Sequence, residues 1–162
     1  MSPIKAPRGS YKRMDRWLGD GGMPVIEMFG ATLETYGADE SGMGWVRGTF
    51  KPTSLACNPR MVVQAGVLAT LEDACMNFAI NAALSGKSVP RATLELKVEA
   101  MRPVLLDLTY GLYGRVTRLA KQVAFAESEV SDLDGALMSR ATGTFLLHRA
   151  EASPRPALSA HD

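Results

Sequence analysis

The sequence predicts an α+β protein in which an antiparallel sheet wraps around one long central helix. Three observations carry this reading. One apolar stretch, MVVQAGVLATLEDACMNFAINAAL, runs from Met61 to Leu84 with helical spacing. After it the period falls to two: Ala92, Leu94, Leu96, Val98 and Ala100 alternate with Thr93, Glu95, Lys97 and Glu99. Such alternation marks a half-buried strand. No strand–helix units alternate and no segment repeats, which disfavours a doubly wound parallel sheet.

The elements follow in order. Residues 1–22 form a basic, glycine-containing extension in which Tyr11, Met14, Trp17 and Leu18 have the spacing of a short amphipathic helix. Residues 23–148 form one domain, within the size range that builds its own core. Pro24 to Tyr36 reads as an entering segment and first strand. The Gly37–Gly42 cluster is a turn, and Met43–Phe50 is the hairpin partner. Lys51–Pro59 is a loop interrupted by Pro52 and Asn58-Pro59. The helix then spans about 24 residues, or about 36 Å. It closes near Ser85-Gly86-Lys87, where Gly86 suits a C-cap. The strand Arg91–Met101 ends at Arg102-Pro103. Leu108–Leu119, Gln122–Ser131 and Ala136–His148 are three more strands, the last two joined by the hairpin turn Asp132–Gly135. Residues 149–162 have no pattern and read as a disordered tail.

Composition removes several function classes. Hydrophobic residues make up 46% and charged residues 22%, and the formal net charge is +1. Bulk charge therefore gives no reason to expect nucleic-acid or membrane binding. Glu72-Asp73 interrupts the longest apolar run below the length of a membrane span. The N-terminal residues lack the apolar core of a signal peptide. Cys57 and Cys75 have no CxxC spacing and read as reduced thiols of a cytoplasmic protein. Two histidines, His148 and His161, are too few for a zinc site or a histidine-activated nucleophile. No metal is expected, and acid–base work falls to a carboxylate.

On a helical wheel started at Gly66, Thr70, Asp73, Asn77 and Asn81 share one narrow stripe. Val67, Leu71, Ala74, Cys75, Phe78 and Ala82 cover the face away from it. Glu72 falls off the stripe and reads as an outlying charge directed to solvent or a basic partner. Asp disfavours helix interiors, and burying it costs free energy unless it is paired or used. Near Gly66 the bare amides of the helix start offer a binding point for a carbonyl or oxyanion. Gly66 and Asp73 lie about 10 Å apart along the axis. One carbonyl cannot touch both, since such contacts are about 3 Å long. If both serve one reaction, they come from two antiparallel copies of the helix across a two-fold axis.

The segment NPRMVVQAGVLATLEDA resembles the N-P-x-x-x-x-H-G-G-x-x-A-T-L-x-D stretch of the hotdog-fold acyl-CoA thioesterases, in their phenylacetate-degradation (PaaI-like) branch. ATLELKVEAMRPV is similar to that family's T-x-[ED]-L-K-V-x-Y-L-R-P strand. VAFAESEVSDLDGALMSRATGTF is similar to its closing hairpin. Together these matches cover about Pro24 to His148. The resemblance implies hydrolysis of an acyl-CoA or aryl-CoA thioester to free acid and CoA, with CoA entering as part of the substrate and no further cofactor. It makes Asp73 the nucleophile or general base, and gives the Ala65 and Gly66 amides the task of polarising the thioester carbonyl. Asn58 would line the site and Thr93 would orient the nucleophile or water. Asn77 joins the candidates from the stripe. The sequence departs at Gln64, where the family has His, and at Ala65, where it has the first Gly. Arg91, Arg102 and Lys121 are candidates for the CoA phosphates. The expected assembly is a homodimer with shared sites, building to a tetramer. Hydroxyacyl dehydration on this fold needs a histidine base that the helix region lacks. Non-catalytic acyl-CoA binding is the alternative that Gln64 and Ala65 keep open.

Overall fold

The computed structural model describes residues 14–84 and 88–149. The proposed Tyr11 contribution, the Gly86 helix stop and the tail from residue 150 lie outside them. A 3₁₀ turn, Met14–Trp17, replaces the expected amphipathic helix over the part that is described. Helix α1, Pro24–Glu27, stands where the entering segment was expected, with proline in its first turn. Strands β1 (Ala31–Ala38) and β2 (Gly44–Phe50) follow, then helix α2 (Ala65–Ala83). Strands β3 (Ser88–Ala100), β4 (Tyr110–Leu119), β5 (Val123–Asp132) and β6 (Leu137–Arg149) complete the chain. All pairs are antiparallel, in the order β1-β2-β4-β5-β6-β3. The predicted order of two strands, one long helix and four strands is the observed one.

The helix starts later than the apolar run suggests. Met61 has a positive φ of 62°, and Val62 and Val63 form isolated bridges with Leu105 and Cys57. The Oδ1 of Asn58 accepts the N–H groups of Arg60 at 2.9 Å and Val62 at 3.4 Å. This side-chain turn competes with helix formation. The greasy residues Met61–Val63 are thereby held as a loop against Cys57 and Val104–Leu106, and α2 is 19 residues long, about 28 Å.

Helix α2 rests on the sheet backbone to backbone. A Cβ on Gly44 would lie 1.9 Å from the Ala79 carbonyl oxygen and 2.7 Å from the Ala83 nitrogen. One on Gly114 would lie 2.8 Å from the Cys75 carbonyl oxygen. With no side chain at these two places, β2 and β4 approach the helix closely. Leu68, Leu71, Met76 and Ile80 are then fully buried with Val46, Phe50, Val130 and Phe145. Tyr110 is buried and Tyr113 lies on the outer face, as their spacing predicts. Trp45 is not a core residue: it sits on the outer face, where the Arg47 guanidinium lies 5.8 Å from its ring and 5.5 Å from that of Tyr113.

Glu72 contradicts the expectation of an outlying charge. It is 0% exposed. Its Oε2 accepts the Ser139 hydroxyl of β6 at 2.9 Å, and Oε1 has no hydrogen-bond partner among the described residues. Burial pushes its carboxyl up to about 8, the Ser139 bond opposes that, and the charge of Glu129 adds to it. The wheel placed Glu72 off the stripe correctly; it could not say that the sheet curls around to cover that face.

Strand β3 also departs from its pattern. It is an edge strand, and both of its faces are exposed, with Leu94 at 56% and Leu96 at 36%. Two register breaks, between Pro90 and Ala92 and between Thr93 and Glu95, interrupt its ladder with β6. Val98 packs partly against the core, but one helix cannot cover six strands, and among the described residues nothing buries Leu94 and Leu96.

Two outcomes are expected. Gly44→Ala forces α2 off the sheet and lowers unfolding free energy by about 1–3 kcal/mol, read by denaturant melting. Glu72 binds its proton more tightly when folded, so its contribution is full below the unfolded carboxylate range and is lost as pH rises through about 8. Stability therefore falls between about pH 5 and about pH 9, by at most about 5 kcal/mol from this group. Glu72→Gln keeps the shape and flattens that dependence. An equal slope in both proteins would show that Glu72 is not the titrating group.

Candidate active site

The polar stripe of α2 faces a groove of about 430 Å³. Thr70, Asp73, Ala74, Asn77, Phe78 and Asn81 form its floor. Its other wall is Trp17, Gly22, Met23 and Val25, from the segment before β1. That segment is held down at several points. The Tyr36 hydroxyl donates to Asp15 Oδ1 at 2.8 Å, and the Gly19 N–H donates to the Leu33 carbonyl at 2.8 Å. The Trp17 ring meets Phe78 edge-on at 6.1 Å.

Asp73 is half-buried at one side of the groove. The Thr93 hydroxyl of β3 donates to its Oδ1 at 2.8 Å, joining residues 20 apart in the chain. Oδ2 has no hydrogen-bond partner among the described residues. Thr70 donates its hydroxyl to the Gly66 carbonyl at 3.0 Å, within the helix. Asn81 donates to the Asn77 carbonyl at 3.0 Å and to Asn77 Oδ1 at 3.1 Å.

At the start of α2 the N–H groups of Ala65 and Gly66 have no acceptor among the described residues, as first-turn amides normally do not. The Gln64 side chain is exposed and does not cap them. Its backbone does the joining: its N–H donates to Ala56 at 2.9 Å, and its carbonyl accepts from Val67 and Leu68. Ala65 is absent from the residues with positive φ, so a side chain is tolerated there and the amide direction is retained. A Cβ on Gly66 would meet nothing within 4 Å, so the space beside the helix there is open.

The structure brings Asp73, Thr93, Asn77 and the groove together. The amides of Ala65 and Gly66 remain about 10 Å along the axis from Asp73. Asn58 shapes the loop into α2 and is not among the groove residues. Arg91 is exposed two residues from Thr93, so about 7 Å along β3. Exposed Lys121 lies at the same end of the sheet, because Val123 pairs with Leu146, which pairs with Ala92. Arg102 lies past the other end of β3, about 36 Å from Arg91. The three cations therefore do not converge in one chain. Among the described residues none of them is in an ion pair, whereas Arg115 pairs with Glu127 and Arg140 with Glu99. The Trp17–Val25 wall has no signature in the sequence, since its place depends on contacts with β1 and α2.

One long helix cradled by this antiparallel sheet is the hotdog fold. Solved structures share it. The chain superposes on zebrafish thioesterase superfamily member 2 with a TM-score of 0.69 and 19% identity, covering 85% of this chain and 95% of that one. It superposes on a phenylacetic acid degradation-related protein of Ralstonia eutropha with a TM-score of 0.67 and 25% identity, covering 82% and 98%. A Streptococcus pneumoniae protein solved with coenzyme A, described as a hypothetical thioesterase, gives 0.64 and 17%, covering 75% and 91%. No protein-family model and no curated protein matches the sequence.

Proposed function

We propose that this protein hydrolyses an acyl-CoA or aryl-CoA thioester to the free acid and CoA, in the manner of the PaaI-like thioesterases. The observation that carries the reading is Asp73, held by Thr93 beside a groove and on the same helix as a bare amino-terminal pair of amides. Likeness to thioesterase structures, one of them with CoA bound, supports it. Asp73 would attack the carbonyl carbon or draw a proton from the attacking water. The Ala65 and Gly66 amides would stabilise negative charge on the carbonyl oxygen. The carbon–sulfur bond then breaks, and the CoA sulfur leaves and takes up a proton. Where Asp73 is the nucleophile, water then cleaves the mixed anhydride on its carboxylate, releasing the acid and restoring Asp73. No cofactor beyond the CoA of the substrate enters this scheme. Ala65 keeps its amide in helical geometry, which favours catalysis over mere binding.

The ten-ångström gap along α2 requires a second chain. Strand β3 supplies the means, because a long apolar edge is a template for another copy. Antiparallel pairing of two β3 edges would set two α2 helices side by side in opposite directions. The amides of one chain would then face Asp73 of the other. The same pairing would carry Arg102 of one chain toward the Arg91 and Lys121 end of its neighbour, where the CoA phosphates would bind. A tetramer built from such dimers in the cytoplasm completes the proposal. Among the described residues no helix is long and apolar enough to cross a membrane.

Thiol release from a panel of acyl-CoAs tests the reading. Asp73→Asn should lower turnover by about 10²–10⁴-fold with melting unchanged. Thr93→Val should lower kcat about tenfold with little change in KM, the loss of one orienting bond. Wild-type turnover by Asp73→Asn would refute the assignment, and full activity in a monomer would refute the shared site.

A further inference from the structure

The groove continues past Asp73 toward the end of α2, and its far end differs from its walls. Trp17, Met23, Val25 and Phe78 make up its apolar lining, whereas Asn77 and Asn81, one and two turns past Asp73, add neutral polar groups. Asn81 uses its Nδ2 on the carbonyl and Oδ1 of Asn77. That leaves Asn77 Nδ2 as a donor and Asn81 Oδ1 as an acceptor without partners among the described residues. Asn81 is about 12 Å along the axis from Asp73.

Charge narrows the choice of occupant. Among the described residues lining the groove, Asp73 is the one charged side chain, and it is acidic. Asn81 lies in the last turn of α2, at the negative end of the helix dipole. An anionic chain end would be repelled there. A plain hydrocarbon end would desolvate the free donor and acceptor without replacing their bonds. An ammonium brings only donors, which Asn77 Nδ2 cannot satisfy. A hydroxyl donates and accepts, so it can serve both.

We infer that the groove selects a neutral acyl chain of medium length ending in a hydroxyl group, which Asn77 and Asn81 read, while the Trp17–Val25 segment forms the wall that sorts acyl groups. The attachment of that chain to CoA rests on the thioesterase reading above.

The test compares kcat/KM for octanoyl-CoA, ω-hydroxyoctanoyl-CoA and octanedioyl-CoA. The hydroxy substrate should exceed octanoyl-CoA by about tenfold, and octanedioyl-CoA should be slowest. In Asn81→Leu the ratio of hydroxy to plain substrate should fall to about one or below. Equal rates for the first two substrates with wild-type protein would overturn the inference and leave the thioesterase reading standing. If none of the three is hydrolysed, nor any other acyl-CoA, the thioesterase reading falls, and binding decides the groove. With Trp45→Phe, Trp17 is the remaining tryptophan, and its fluorescence reports occupancy. An affinity for ω-hydroxyoctanoyl-CoA about tenfold above that for octanoyl-CoA supports the inference; equal affinities overturn it.

Discussion

The contact of α2 with the bare backbone of β2 and β4 governs the rest of the structure. At Gly44 and Gly114 no side chain separates helix from sheet, and the gap closes to backbone contact. A helix seated so closely cannot roll about its axis without driving main-chain atoms together. Its angular setting is therefore fixed, and with it the direction of every side chain along its length. Leu68, Leu71, Met76 and Ile80 go into the core, while Thr70, Asp73, Asn77 and Asn81 look along the groove. The first-turn amides of Ala65 and Gly66 keep no acceptor among the described residues.

Adjacent carboxylates illustrate the consequence. Glu72 and Asp73 differ by about 100° around the helix. One meets the sheet, loses its water and keeps a single bond from Ser139, so its neutral form is favoured. The other reaches the groove and is held by Thr93 from an edge strand. Neither outcome follows from the residue type. Each follows from what covers that direction of the helix.

Strand β3 joins the two halves of the proposed site. It carries Thr93 to Asp73, yet its Leu94 and Leu96 find no cover among the described residues. Its register breaks fall at Arg91 and Leu94, on either side of Ala92 and Thr93. A free edge of this length and the axial separation between Asp73 and the helix start have a common resolution in a second copy. The strand that positions the carboxylate would then also bring the complementary amides from the neighbour.

Much of the fold was legible because its signals are local. A switch from helical to alternating spacing, proline and glycine breaks, and the Asp132–Gly135 turn mark strands and helix by what each residue does to its own backbone. Helical spacing also sorted Asp73, Thr70, Asn77 and Asn81 onto one line before any neighbour was known. Motif resemblance picked out Thr93 beside Asp73, a pairing 20 residues apart that spacing alone could not reach. Tertiary structure alone decided the later start of α2, because Asn58 and the bridges of Val62 and Val63 take up backbone groups that the helix would have used. It alone buried Glu72, exposed β3, separated Arg102 from Arg91 and folded Trp17–Val25 over the helix. These depend on which surfaces meet across long stretches of chain. A sequence determines the periodicity of a face, whereas burial and approach depend on the layer packed against it.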